Sequence, residues 1–514
     1  MSASELLARL AAVVPLVNQL GPQMQRRTDA ELRTLTTAYR ERAGNGETLD
    51  SLLPEAFALV REATARTVGE RHLDVQLLAA AALHHGAMVE IRHGRTPRAL
   101  ATTLPAYLNA LAGAGVHVVT LNDDLAERHA ERMGAVYRFL GLEVGVVLEQ
   151  RRLPPVERRA GYQADITYGS YKELGFDYLR DNLALSTSEV VQRGHAVAFV
   201  DDPDAVLIGE ARTQLCLFGP SQVAQAGRER EVWATISVRA YYRRYGKLAG
   251  MSGTAAGQAA EFQHSYQRQA VKVPTGEPVV GTAGTPMIGG MIGGVRQRLA
   301  KWLLESERRG TQAWRRERHR QLVAFDEVLE QQCEAVYTTR RRILESHSDD
   351  LHEQIVGMLG DVVERAVAQH CPPGARRTAW DLDGLLATLS GVYPIGIGGE
   401  AIDPAISDPA GLGRLLASDA ERAVNARRAE LGAEVFEQLA RAVFLNRLDY
   451  HWREHLREMD SLGGRIQGRS TGKGDRLGDY RREASRLFQE RQELLARDTL
   501  GYVFNARIEV AESG

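Results

Sequence analysis

Val116-His117-Val118-Val119-Thr120-Leu121 is a short run dominated by β-branched residues, and it closes on the polar pair Asn122-Asp123. A run of that length and composition, bounded by turn residues, reads as a buried strand. Two more runs repeat the pattern: Ala164-Asp165-Ile166-Thr167-Tyr168 and Ala196-Val197-Ala198-Phe199-Val200. Helical stretches separate all three. Strands alternating with helices point to an α/β domain with a parallel sheet, covered by helices on its faces. In such sheets ligands bind beyond the carboxyl ends of the strands, which directs attention to the turns that follow these runs.

The flanking chain is helical. Within residues 1–70, Thr28-Asp29-Ala30-Glu31 has the spacing of a capping box, and Asp50-Ser51-Leu52-Leu53-Pro54-Glu55 reads as a further helix start. Residues 274–295 are rich in Gly and Pro and read as a linker. Beyond 296, Leu322, Phe325, Leu329, Cys333, Val336 and Ile343 step by three, four or seven, as one face of a long helix. A second stripe runs through Leu445, Leu448, Trp452, Leu456 and Met459, and a third, mixed face from Tyr480 to Asp498. The glycine-rich stretch from Gly463 to Gly478 between them is expected to be an exposed loop joining two antiparallel helices.

Bulk composition excludes several function classes. The chain has 514 residues, a net charge of −2 and 44% hydrophobic residues, so cores can form and no global field draws it to nucleic acid. Of 64 basic residues only five are lysine: Lys172, Lys247, Lys272, Lys301 and Lys473. None completes a Gly-Lys-Ser/Thr triplet, so no Walker A motif is present. Cys216, Cys333 and Cys371 are too far apart for a disulfide framework or a cysteine zinc site. The first ten residues lack the basic segment of a signal peptide, and no apolar run is long enough to span a membrane. The basic run from Arg308 to Arg320, with Trp314 inside it, is interrupted by Glu317 and reads as a solvated helix face rather than a nucleic-acid site.

Several stretches resemble signatures of the SecA family, the motor subunits of bacterial preprotein translocase. They are residues 116–123, Ala164 to Gly169, Gly175-Phe176-Asp177-Tyr178-Leu179-Arg180-Asp181-Asn182, Glu210-Ala211-Arg212-Thr213 and Leu248-Ala249-Gly250-Met251-Ser252-Gly253-Thr254-Ala255. Trp452-Arg453-Glu454-His455-Leu456 with Met459-Asp460 resembles the family's two-helix finger. The resemblance implies one RecA-like, P-loop NTPase-type parallel-sheet domain followed by a helical scaffold with that finger. It places an N-terminal helical segment at 1–70 and the RecA-like domain at 71–273, with the family's cross-linking domain reduced to about 221–232. The linker 274–295 replaces the second motor domain. A long scaffold helix at 296–350, a wing-like part at 351–430 and the finger at 431–514 complete the chain. The family's motifs for the second motor domain and its C-terminal zinc tail have no counterpart, so no zinc is expected.

Carried over residue by residue, the resemblance marks a degenerate nucleotide site. The phosphate loop falls on His93-Gly94-Arg95-Thr96-Pro97-Arg98-Ala99, with Gly94 retained, Arg98 at the lysine position and Ala99 at the hydroxyl position. Pro97 removes a backbone donor, and a guanidinium meets phosphate with a geometry unlike an ammonium's. Asp201-Asp202-Pro203-Asp204 falls on the family's acidic box, Asp201 at the magnesium position, Asp202 at that of the catalytic glutamate. Arg71 and Gln76 fall on the adenine-reading motif, and Thr254 on the motif that couples the cleft to the scaffold. Residual binding of ATP or ADP with Mg and an ordinary polar turn both remain open for these residues. In the finger, Ser461 stands where the family carries a bulky fingertip residue, and Arg465, Arg469 and Lys473 keep the tip basic. The expected function is an accessory or scaffold protein of the export pathway that no longer hydrolyses ATP. Its partners would be a SecY-type translocon, a full-length SecA or a preprotein, with contact to an anionic lipid surface and none to nucleic acid. Such a protein is cytoplasmic and peripheral on the plasma membrane. The alternatives are an active translocase and a decayed remnant.

Overall fold

A computed structural model describes residues 2–91, 95–149, 154–220, 230–274, 326–372, 374, 376–398, 402, 406, 408–468 and 476–506. The Gly/Pro-rich linker from 275 on, the basic run 308–320, Gly94, Arg469 and Lys473 lie outside the described residues. Two compact units emerge. The first holds the described residues of 1–181, 188–217 and 235–274. The second holds 182–187, 218–220, 230–234 and 326–506.

In the first unit the helices α1 (Ala3–Ala11), α2 (Val13–Gln25), α3 (Asp29–Gly44), α4 (Leu49–Thr67) and α5 (Asp74–His84) precede any strand. Thr28 caps α3, its hydroxyl accepting from Glu31 N–H while the Glu31 carboxylate accepts from Thr28 N–H, as the spacing predicts. The second helix start lies slightly earlier than expected: Thr48 is the cap and α4 begins at Leu49. The sheet then alternates with helices: β1 (Met88–Glu90), α6 (Arg95–Ala110), β2 (Val116–Thr120), α7 (Asp123–Phe139), β3 (Val144–Val147), α8 (Pro155–Gln163), β4 (Ile166–Ser170), α9 (Tyr171–Asp181) and β5 (Val197–Asp201). After β5 come β6 (Gln214–Pro220), β7 (Arg230–Ser237), α10 (Val238–Tyr242), β8 (Lys247–Ser252), α11 (Ala259–Tyr266) and β9 (Ala270–Lys272).

Seven strands form one sheet in the order β3-β4-β2-β5-β8-β1-β9, and every pairing is parallel. Val118 pairs with Tyr168 on one side and Phe199 on the other, and Phe199 with Ala249. Val116, Val118, Ile166, Phe199 and Ala249 are all buried, as central parallel strands covered on both faces require. The α/β reading with a parallel sheet is therefore correct, and two of the three strands start and end within one residue of the expected limits. The third starts later, at Ile166. Asp165 faces outward instead, accepting from Glu143 N–H at 2.8 Å and from Arg40 at 2.5 Å. β6 and β7 form a separate two-stranded sheet.

The second unit is helical: α12 (326–345), α13 (Ser348–His370), α14 (Leu382–Ser390), α15 (Pro409–Leu431), α16 (Ala433–Gly468) and α17 (Arg476–Asn505). α16 and α17 run antiparallel: His451 meets Asp498, Glu458 meets Arg491, and Met459, Leu462 and Ile466 pack with Tyr480 and Ala484. Cys333, Val336, Ile343, Leu445, Leu448, Trp452 and Met459 are buried along the expected stripes, whereas Leu494 is exposed. The glycine-rich loop is shorter than the sequence suggests. α16 continues through Gly463 and Gly464 to Gly468, and α17 already includes Gly478. Apolar Leu462 and Ile466 extend the buried stripe, and that packing outweighs about 1 kcal/mol of helix propensity per glycine.

Candidate functional site

The carboxyl ends of β5, β8 and β1 converge on α6. α6 opens at Arg95, inside the stretch 93–99 aligned with the phosphate loop, and its third residue is Pro97. A proline in a first turn costs the helix nothing, since that N–H has no intrahelical partner. It does take one donor from the end of the helix that would face an anion. One residue on, the Arg98 side chain is 9% exposed. Its Nη2 donates to Asp202 Oδ1 at 2.7 Å, and its Nε lies 3.8 Å from Asp201 Oδ1. The cation at the lysine position thus grips the acidic box from within the same chain.

The acidic turn is shaped to receive it. Asp202 has φ of +53°, the left-handed region where a non-glycine residue is uncommon. Its N–H donates to Met251 O, and its own carbonyl accepts from Ala205 and Val206 as the chain enters a single π-helical turn at Asp204–Gly209. Gly250 makes the fit possible: a Cβ there would lie 2.7 Å from Val200 O and 2.8 Å from the Pro203 ring. Asp204 Oδ2 accepts from the Thr254 hydroxyl, while Oδ1 is buried with no hydrogen-bond partner among the described residues. Glu90, at the end of β1, accepts from Ala256 N–H at 3.1 Å and lies 3.6 Å from Lys272 Nζ.

Arg71 and Gln76 stand on either side, in sequence, of a contact with the same helix. His72, between them in sequence, has Nε2 at 2.8 Å from Leu100 O and 3.1 Å from Thr103 Oγ1, both on α6. Burial pushes the His72 imidazole down to about 4. Gln76 is buried, and its Oε1 accepts from Leu73 N–H at 2.7 Å, closing the start of α5. Arg71 is half-exposed, with Nη1 3.5 Å from Glu62. The finger residues form a separate surface in the second unit. Ser461 Oγ donates to Arg457 O at 3.0 Å within α16. Ser461 and Arg465 open on a groove of about 370 Å3 that also carries Glu458, Glu483 and Arg486, so the surface presents both signs of charge.

Sequence reasoning missed a buried network behind the sheet. Arg158 Nε donates to both oxygens of Asp177 at 2.6 and 2.7 Å and pairs through Nη2 with Glu173. Arg180 pairs with the same two carboxylates, and Tyr162 donates to Asp177 at 2.6 Å. Burial pushes the Glu173 carboxyl up, against the pull of Arg180 and Arg158. The dense charged motif 175–182 was its signal: charges on a helix whose residues are otherwise buried must be paired.

The residues around Arg98 differ from the set with which a magnesium–nucleotide is ordinarily held. That set has loop N–H donors, a hydroxyl for the metal and an acidic pair free to take it. Here Pro97 supplies no N–H, Ala99 has no hydroxyl, and Arg98 engages Asp201 and Asp202. Among the described residues no group of three or more His, Cys, Asp or Glu side chains is placed to hold a metal ion.

The family model of the SecA DEAD-like domain matches residues 1–228 and 222–263, and that of the SecA Wing and Scaffold domain matches 303–507. The chain belongs to the SecA family. Relatives include the Protein translocase subunit SecA of Beutenbergia cavernae, 29% identical with 100% of this chain and 85% of the relative covered. That of Kineococcus radiotolerans is 29% identical, with 98% and 91% covered. The Protein translocase subunit SecA 1 of Mycolicibacterium paratuberculosis is 28% identical, with 98% and 87% covered. The first alignment runs over 830 positions against this chain's 514, leaving 316 positions filled by the relative alone. This SecA chain is therefore shortened by internal gaps. No helix among its described residues is long and apolar enough to cross a membrane.

Proposed function

We propose that this protein is a SecA-type component of protein translocation whose motor site is closed by its own Arg98. The observation that carries the reading is the pairing of Arg98 with Asp202 at 2.7 Å and with Asp201 at 3.8 Å. In this arrangement a fixed guanidinium neutralises the carboxylates that would otherwise take the metal and activate water. Asp202 is also one methylene shorter than a glutamate, and a base displaced by ~1 Å can cost ~100-fold. The protein works as a non-hydrolysing accessory of the export pathway. It meets a SecY-type translocon, a full-length SecA or a preprotein through the helical unit, and the cytoplasmic face of the plasma membrane through Arg465, Arg469 and Lys473 at the finger's tip. Support comes from the relatives, each named as a translocase subunit, and from the intact antiparallel pair α16 and α17.

The test is ATP turnover by purified protein, with and without translocon-containing membranes, beside capture of those partners from solubilised membranes. The expected result is turnover at buffer level together with recovery of channel, full-length SecA or preprotein. Turnover that vanishes in an Asp201→Asn variant identifies an active translocase and overturns the reading. Recovery of none of the three partners identifies a remnant.

A further inference from the structure

α13 ends on His370, and the ring lies along α14. Its Nδ1 is 3.1 Å from Asp381 Oδ2, and its Nε2 is 3.1 Å from Thr388 Oγ1. Asp381 is held from both sides. Its Oδ1 accepts from Gly384 N–H at 2.9 Å as the N-cap of α14, and its own N–H donates to His370 O at 3.1 Å. The Gly384 N–H, and after it His370, holds this carboxyl below the usual carboxylate range. An ionised carboxylate only accepts, so Nδ1 carries a hydrogen, and in the neutral ring the lone pair is then on Nε2, toward the threonine hydroxyl. Thr388 opens on a cavity of about 450 Å3, walled by Val392 and by Arg497, Asp498, Gly501, Tyr502 and Asn505 of α17, with Asp498 paired to His451. Arg497 has no ion-pair partner among the described residues. A hydroxyl on a base, the base on a carboxylate, and a cation across an adjoining cavity are the parts of a nucleophilic acyl-transfer site.

We propose that Thr388, His370 and Asp381 form an acyl-transfer site for small carboxylic esters, independent of the motor remnant. Thr388 Oγ1 attacks the ester carbonyl carbon as its proton passes to His370 Nε2. The carbonyl oxygen, now an anion, is met by the Arg497 guanidinium. The bond from that carbon to the alcohol oxygen breaks, and the alcohol leaves with the proton from Nε2. Water then attacks the acyl-threonine by the same route, releasing the carboxylic acid and restoring the Thr388 hydroxyl. Asp381 is a positioning residue that fixes the tautomer.

The experiment uses the full chain, p-nitrophenyl butyrate as substrate and a fluorophosphonate as trap, with the labelled peptide located by mass spectrometry. Label on Thr388 is expected. The isosteric Thr388→Val loses both label and turnover, and His370→Gln slows turnover ~100-fold or more. Asp381→Asn separates cap from catalysis, because asparagine caps a helix as well as aspartate does. It is expected to keep the melting temperature and lose at least ~10-fold in rate. Label absent from Thr388, wild-type turnover in Thr388→Val, or wild-type turnover in Asp381→Asn at unchanged melting temperature overturns the proposal.

Discussion

At the scale of single residues, Arg98 decides how the motor site reads. The resemblance puts it in the family's phosphate loop and the two aspartates in its acidic box. Their embrace is not legible from sequence, because 104 residues separate Arg98 from Asp202 and only the order β5-β8-β1 brings them together. Gln76 teaches the complementary lesson. Its amide suits an adenine edge, yet its oxygen serves the N–H of Leu73. The Arg98 pairing has a testable cost. Removing one partner of a largely buried ion pair leaves the other charge uncompensated. Arg98→Ala is expected to destabilise the first unit by about 2–3 kcal/mol in urea titration. Adding Asp202→Asn to that variant should restore part of the loss, since the stranded charge is then gone. A double variant no more stable than the single one would show that the aspartate is well solvated without its partner.

At the scale of elements, period and composition served well where packing follows them. The β-branched runs are strands, and the stripes of α12 and α16 are buried faces. Glycine misled at the finger, because Leu462 and Ile466 keep the helix going where propensity alone would end it. The motif 175–182 carried the family resemblance and no structural reading of its own. In α9 it is architecture: Asp177 is fully buried and binds Arg158, Arg180 and Tyr162 at once. Asp177→Asn removes the charge that two arginines share, and is expected to cost about 3–5 kcal/mol. Arg180→Met should cost only about 1 kcal/mol, because the Arg180 side chain is 45% exposed and Arg158 still holds both acids. Denaturant midpoints of the two variants give the comparison, and equal losses would contradict this division of labour.

At the scale of the whole molecule, the chain is shorter than its relatives by internal gaps, and both units carry buried polar groups. The extent of the gaps was legible only through the family resemblance, since no residue in a chain reports on residues that are missing. The buried histidines give each unit a common dependence on pH. Burial pushes His72 and His117 in the first unit, and His455 in the second, down to about 4. In the unfolded chain the same imidazoles titrate near ~6.5. As pH falls through ~6.5 the unfolded state takes up protons that the folded state refuses until about pH 4, so stability is lost across that window. Between pH 7 and pH 5 each such histidine withdraws about 2 kcal/mol. Glu173, pushed up by burial, works in the opposite direction, as a group that favours the folded state when protonated. Urea titrations should therefore show a fall in stability from pH 7 to pH 5, before the ordinary carboxylates begin to titrate. His117→Gln keeps a hydrogen-bonding group beside the Tyr245 hydroxyl, which the imidazole meets at 2.7 Å, but cannot be protonated. It should flatten that fall by about 2 kcal/mol. A variant whose stability falls as steeply as the wild type's would mean that His117 gains its proton while still folded.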